Sequence, residues 1–256
     1  MPATSDPVAG GTVFTDRLVF LHGFTQTHHH WHRSAQLIAD RVSRPPALAF
    51  ADLPGHGLSG ADRNEITAGA SQLVELAGRG TYVGYSMGGR TALVAALQGD
   101  SRVERLVLIG ATPGIDDPAE RLDRQRLDDQ RAERLELIGL DRFLDEWLAA
   151  PLFAGLAADE QGLEHRRRNT VAGLAHSLRT WGTGRQESLW GRLDQIRIPV
   201  LVMAGELDAK FTEIAQRMVA RLPDATFVAI PGAGHAAHTE RPDATADAVA
   251  AWLDPA

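Results

Sequence analysis

The sequence predicts an α/β fold: a mostly parallel sheet flanked by helices, with a helical cap inserted in its second half. Three observations predict it. Short runs that are apolar throughout, not alternating, recur along the 256-residue chain. Strands buried on both faces of a parallel sheet read this way. The runs end in loops bearing Gly or Asp, and helical patterns follow several of them, the alternation of an α/β protein. Between about Pro113 and Ile196 that alternation stops, in a stretch dense in charge with no convincing strand.

The elements follow in chain order. Leu18–Leu21 is the first predicted strand and runs into His22-Gly23-Phe24. Ala47–Ala51 is the second, and its loop, Asp52 to Ser59 (DLPGHGLS), has the Pro and Gly content of a tight turn. Thr81–Gly84 is the third, followed by a helix over Gly88–Gln98; Val103–Ile109 is the fourth. The insertion opens with DDPAERLDRQRLDDQRAERLE, where Leu122, Leu135 and Ile138 are spaced as on amphipathic helices. A long insertion inside a compact domain is more often a lid or a binding element than an idle loop. Val200–Ala204 and Thr226–Ile230 resume the strands, with helices over Thr212–Arg221 and Asp243–Leu253. The organisation expected is one domain over 1–256 with a cap at about 113–196.

Composition excludes several classes. Hydrophobic residues are 44% and charged residues 23%, globular values that exclude disorder and fibrous repeats. The net charge of −7 gives no general electrostatic footprint for nucleic acid. The absence of Cys removes disulfides, Cys-ligated zinc and a thiol nucleophile. No apolar run approaches the ~18 residues of a membrane span. The N-terminal MPATSDPVAGG lacks the charge and apolar core of a secretory signal. The expectation is a cytoplasmic protein with no membrane or nucleic-acid partner. Its oligomeric state is left open, and a monomer is compatible with all of this.

Gly84-Tyr85-Ser86-Met87-Gly88 is a G-x-S-x-G between a predicted strand and a predicted helix. In that context it reads as a nucleophile elbow. Ser86 sits in a sharp turn whose neighbours must be small, at a helix N-terminus that favours developing negative charge. A serine hydroxyl needs a histidine to take its proton, and the chain order on such a fold is Ser, acid, His. Asp208 follows the fifth strand and His235 lies in the Gly-rich loop after the sixth. Glu206 is the lesser candidate orienter. His238 competes with His235 and is expected to be a surface or loop-packing residue. The anion hole should use the amide of Met87 and that of Phe24. His22 is expected to buttress its loop.

Together HG near the start, DLPGHGLS, GYSMGG, GELD and GAGH resemble the α/β-hydrolase fold family, from about residue 18 to the end. Further stretches are similar to the 2-succinyl-6-hydroxy-2,4-cyclohexadiene-1-carboxylate synthases of menaquinone biosynthesis. They are Ser86 to Arg90 (SMGGR), AERLDRQRLDDQ with Arg124, Trp147 with Pro151-Leu152-Phe153, RRRNTVAGLAHSLRTWGTGRQESLW, GELDAKF and GAGHAAHTERP. The resemblance implies a lyase, free of cofactor, that releases pyruvate from a succinyl-cyclohexene substrate. It implies that Ser86 is a base rather than an acylated nucleophile, and that Tyr85 and Trp147 shape the pocket. A small polycarboxylate substrate gives the arginines a reason, because Arg suits bidentate carboxylate recognition. Arg90 and Arg124 are candidates, and Arg166 and Arg168 compete for one position in two registers of His165–Asn169.

Two alternatives share these residues. One is a serine hydrolase, either a carboxylesterase or a hydrolase of C–C bonds, which would not need the arginines. The other is a non-catalytic ligand-binding protein, for which an intact triad has no evident use. His28-His29-His30-Trp31-His32 puts four histidines in five residues. With no Cys or acidic partner at a ligand-like spacing, it is expected to be an exposed helix start, not a metal site, with Trp31 in the core or site wall.

Overall fold

The computed structural model describes residues 17–254. The MPATSDPVAGG stretch, with the expectation attached to it, lies outside them. Six strands form one parallel sheet: β1 (Arg17–Leu21), β2 (Ala47–Ala51), β3 (Gly80–Tyr85), β4 (Val103–Ile109), β5 (Val200–Gly205) and β6 (Ala225–Ile230), in the order β2-β1-β3-β4-β5-β6. All six predicted runs are strands. The chain passes from β1 outward to β2 and then back across to β3, so the direction of winding reverses between β1 and β3. Leu21 faces Gly84 there in register. Ligands of open α/β sheets bind at the carboxyl ends of strands beside such a reversal.

The core explains the uniform apolarity of the strands. Val19, Leu21, Tyr82, Leu106 and Val202 pack on one side of the sheet with α2 (Ile66–Ala77), α3 (Met87–Leu97) and α8 (Ala209–Val219). Leu18, Phe20, Val83, Val107 and Met203 pack on the other with α1 (His32–Ala39) and α10 (Pro242–Leu253). Successive residues of one strand point to opposite faces, so a sheet covered twice needs apolar residues at every position. Trp31 is fully buried in the second layer, against Phe20. Helix α1 begins at the end of the histidine run expected to start a helix, and α2 adds to the helices expected from sequence.

Between β4 and β5 the described chain forms only helices and turns. It contains α4 (Pro118–Ile138), α5 (Leu140–Leu148), α6 (Leu163–Arg166) and α7 (Val171–Trp181). Asp117 starts α4, its carboxylate accepting from the amides of Ala119 at 2.8 Å and Glu120 at 2.9 Å, with Pro118 at the first helical position. Gly139, at φ 79°, ends it. The apolar stripe differs from the expected one. Leu135 is buried but Leu122 is 45% exposed, because thirteen residues at ~100° each place them on opposite faces. The buried stripe is Asp128, Ala132 and Leu135. It packs with Phe143, Leu174 and Leu178 into a small core of its own, against which Phe24 rests. A short α9 (Ala237–Glu240) precedes α10. No helix among the described residues is long and apolar enough to cross a membrane.

Candidate active site

Ser86 caps α3 directly after β3 with φ 49° and ψ −106°. Only Thr25, at φ 66°, shares a positive φ among the described non-glycine residues, and Thr25 lies in the loop after β1. One strained residue thus lines the cavity and the other directly follows Phe24, which lines it too. The flanking glycines are needed for space. A Cβ on Gly84 would lie 2.5 Å from the Gly88 carbonyl, and one on Gly88 would lie 2.1 Å from Leu21 O. The turn can press its serine outward only because no side chain separates these backbones.

His235 and Asp208 complete the expected constellation. His235 Nε2 is 3.3 Å from Ser86 Oγ, and His235 Nδ1 is 2.8 Å from Asp208 Oδ2. With Nδ1–H donating to the carboxylate, Nε2 is left as the acceptor for the serine proton. Asp208 is held in turn as the N-cap of α8, its Oδ1 accepting from Phe211 N at 3.2 Å. Phe211 also packs on the His235 ring at 4.4 Å. Glu206 points elsewhere and accepts from Gly232 N.

Sequence reasoning missed Glu240. It is buried, and its carboxylate accepts from Gly234 N at 2.6 Å and Ala236 N at 2.9 Å, the two residues flanking His235. His238 is not a surface residue. It is fully buried between the rings of Trp31 and Tyr85, each 4.4 Å away, and neither of its nitrogens has a partner among the described residues. Burial and nearby His235 push its pKa down to about 3, so it is a neutral packing ring.

The loop after β1 is anchored by two other neutral histidines. His22 Nδ1 bonds Gly23 O at 2.8 Å, and its Nε2 accepts from Leu53 N at 3.0 Å. His56 Nε2 accepts from Thr25 N at 3.3 Å. Both rings are fully buried, and burial lowers their pKa values to about 4 and about 3. His22 is thus the buttress the sequence predicts, and the DLPGHG loop supplies a second one. The pair fixes Phe24, which lines the same cavity as Ser86, Met87 and Tyr85.

Two of the four candidate arginines reach that cavity. Arg90 and Arg124 line it with Trp147, Phe153 and Lys210. Arg90 is only 6% exposed, and its two acceptors, Gln186 Oε1 at 2.9 Å and Trp181 O at 2.7 Å, are both neutral. Burial, aided by nearby Arg124, lowers its pKa to about 10, still far above neutrality. Arg124 is held by Asp128 through Nε alone, at 2.9 and 3.0 Å, which leaves its Nη protons for other partners. Asp128 is buried on the apolar stripe of α4 and also accepts from Arg131 at 3.2 Å. Trp147 packs edge-on to Phe24, and its buried Nε1 has no partner among the described residues.

Arg166 and Arg168 do not line the cavity. Arg166 is buried, but it donates to Thr25 Oγ1 and to Gln161 O, while Asn169 donates to Thr25 O at 2.7 Å. It braces the loop that carries Phe24. Arg168 is exposed and sits 2.7 Å from His29 Nε2 on the outer surface. The two registers that sequence left open thus lead to a brace and a surface residue.

Known proteins share this arrangement. A family model described as "Alpha/beta hydrolase family" matches residues 18–248. A 2-succinyl-6-hydroxy-2,4-cyclohexadiene-1-carboxylate synthase of Serratia proteamaculans (strain 568) is 34% identical over 238 residues, 90% of this chain and 89% of that protein. A protein of Bacillus subtilis (strain 168) that carries the same name in provisional form is 36% identical over 242 residues, 89% of this chain and 86% of its own. The solved structure of MenH from S. aureus superposes with a TM-score of 0.85 at 31% identity, covering 96% of each chain. The chain belongs to the α/β hydrolase family and, within it, to the family of the 2-succinyl-6-hydroxy-2,4-cyclohexadiene-1-carboxylate synthases.

Proposed function

We infer that the chain is a carbon–oxygen lyase. It eliminates pyruvate from 2-succinyl-5-enolpyruvyl-6-hydroxy-3-cyclohexene-1-carboxylate to give 2-succinyl-6-hydroxy-2,4-cyclohexadiene-1-carboxylate, the product for which its relatives are named. Arg90 carries this reading for the site itself. A buried guanidinium with only neutral acceptors, in the wall of the cavity that holds Ser86, is a cation awaiting an anion. Each carboxylate of the substrate offers one. A neutral ester offers none.

His235, oriented by Asp208, takes the Ser86 proton, and the Ser86 oxygen removes a proton from the ring. The proton comes from ring carbon 2, the electrons of that C–H bond form a double bond between carbons 2 and 3, and those of the existing 3,4 double bond move to 4,5. The C–O bond to the enolpyruvyl group breaks, and pyruvate leaves as its enolate, to be protonated at carbon. The reaction consumes no oxidant or reductant, and no cofactor is called for. The amides of Phe24 and Met87 stabilise charge developing on a substrate carboxylate. Arg90 and Arg124 bind carboxylates, and Tyr85 and Trp147 shape the walls. In this reading Arg166 acts on substrate only through Thr25 and the Phe24 loop, and Arg168 has no part in the reaction. The chain is taken as one domain whose segment 113–196 caps the site, in a cytoplasmic enzyme with a small-molecule substrate and no nucleic-acid partner.

A paired assay tests the reading. One arm supplies the enolpyruvyl intermediate, made fresh, and follows pyruvate above the spontaneous background; the other supplies a short activated ester. Fast pyruvate release lost in Ser86→Ala, with feeble ester turnover, supports the lyase. Fast ester turnover with no pyruvate above background overturns it in favour of a hydrolase using the same triad.

A further inference from the structure

The histidine run after the first strand was expected to be an exposed helix start, for want of an acidic partner nearby in sequence. The fold supplies that partner and another imidazole. We propose that His28, His29 and His32, with His165 stacked against them, form a site for a divalent d-block ion of the zinc type, on the outer surface away from the catalytic cavity. Ring nitrogens of His28, His29 and His32 lie within 4.8 Å of one another. His28 and His32 are one helical turn apart, with ring centroids separated by 5.6 Å. His165 comes from the inserted segment and stacks on His29 at 4.4 Å, with the rings 14° apart. A tetrahedral site with nitrogens ~2.1 Å from the ion sets them about 3.4 Å from each other, so His28, His29 and His32 need only a small closure, with water left to complete the shell. The exposed His32 side chain can supply it.

The carboxylate behind His28 separates this cluster from a chance gathering of surface rings. Asp52 has a side chain only 3% exposed. Its Oδ2 is 2.9 Å from His28 Nδ1 and accepts from Leu58 N, while its Oδ1 accepts from His28 N at 2.7 Å. A carboxylate on Nδ1–H fixes the tautomer and turns the Nε2 lone pair outward, the arrangement found behind metal-ligating histidines. Imidazole ligands with no exposed carboxylate among them select zinc, nickel or copper over magnesium and calcium. None of the four histidines lines the catalytic cavity.

Arg168 sets the sign of a decisive test. Its Nη1 occupies the His29 Nε2 lone pair at 2.7 Å, so it competes with the ion by position and by charge. Through the stack of His165 on His29, the ion would stiffen the contact between the segment bearing Arg166 and Asn169 and the start of α1. That segment already grips Thr25 of the Phe24 loop.

Calorimetric titration of the chelator-treated full chain with Zn²⁺ at neutral pH tests the site, with Co²⁺ absorption reporting geometry. The expected result is one ion per chain with dissociation in the micromolar range or below, and tetrahedral Co²⁺ bands. His32→Ala, at an exposed position, and His29→Ala each weaken binding about tenfold or more. His165→Ala alters the Co²⁺ bands, and Arg168→Ala tightens binding. Absence of saturable binding up to about 0.1 mM Zn²⁺ overturns the proposal. So does one-site binding indifferent to His29→Ala and His32→Ala, because the ion then sits elsewhere, and so does weaker binding in Arg168→Ala. Far-ultraviolet circular dichroism on each variant checks that a loss of binding is not a loss of fold.

Discussion

The loops at the strand ends and the helical segment between β4 and β5 both line the cavity, but they hold their side chains differently. The strand-end loops fix the triad largely through backbone. Ser86 is set by a strained turn, Asp208 by an N-cap, and His235 by amides on either side that donate to Glu240. The helical segment fixes its contribution chiefly through side chains: Asp128 holds Arg124, and Gln186 Oε1 with the Trp181 carbonyl accepts from Arg90 of α3. Bond-making chemistry thus rests on the rigid sheet, while recognition rests on a layer that can be exchanged.

Substitutions on the two sides should therefore fail in different ways. Ser86→Ala removes the oxygen proposed to act as base and leaves the binding wall intact. Pyruvate release should fall by about 10³–10⁴-fold with little change in KM or in melting temperature, read in a coupled pyruvate assay. Comparable loss with a collapsed melting temperature would blur the distinction. Arg90→Ala removes a buried cation from the cavity wall, where it is proposed to meet a substrate carboxylate. A loss of about 10²–10³-fold in kcat/KM on the polycarboxylate is expected, with turnover of a short neutral ester changed less than about threefold. Equal losses on both substrates would mean that Arg90 merely props the elbow.

Asp128 borders the cavity and holds both Arg124 and Arg131, and Asp128→Asn should act chiefly by loosening Arg124. KM should rise about tenfold while kcat changes little, and the effect should largely vanish in an Arg124→Ala background. Additive losses would show that Asp128 acts through something else. The smallest effect concerns acid stability. His22, His56 and His238 have folded pKa values of about 4, 3 and 3, below the ordinary 6.5. The unfolded chain takes up their protons first, so their contribution is complete above about pH 6.5 and drains as the pH falls toward 4. The melting temperature should drop over that window. His238→Leu should flatten the decline by the equivalent of about one proton; an unchanged slope would mean that His238 is already charged in the fold.

The same division explains what the sequence made legible. The triad was readable because a strained turn demands glycines and because an acid and a histidine follow apolar runs at strand ends. Asp128 was not. It is one of many acids in a charged helix, and it occupies a position of the apolar stripe, where periodicity expects a hydrophobic residue. Arg166 and Arg168 differ by two positions, and only the turn at the end of α6 sends one inward and the other to solvent. His238 and His235 were hard to separate because they share a loop; what tells them apart is Asp208, which a linear spacing cannot aim. The acidic partner of His28 lies twenty-four positions downstream, at the end of another strand.

The positive φ of Ser86 and Thr25 has a consequence for laboratory evolution. Both positions would relax if occupied by glycine, which adopts such angles without a steric penalty. A selection that rewards heat resistance alone is therefore drawn to Ser86, where relief of strain discards the proposed base, whereas at Thr25 the same exchange would also strip buried Arg166 of its Oγ1 acceptor and loosen the loop that carries Phe24. Screens for hardier variants of this enzyme should hold these two codons fixed and seek their gains on the outer faces of α2 and α4, where exposed Leu76 and Leu122 can be exchanged without reaching the cavity.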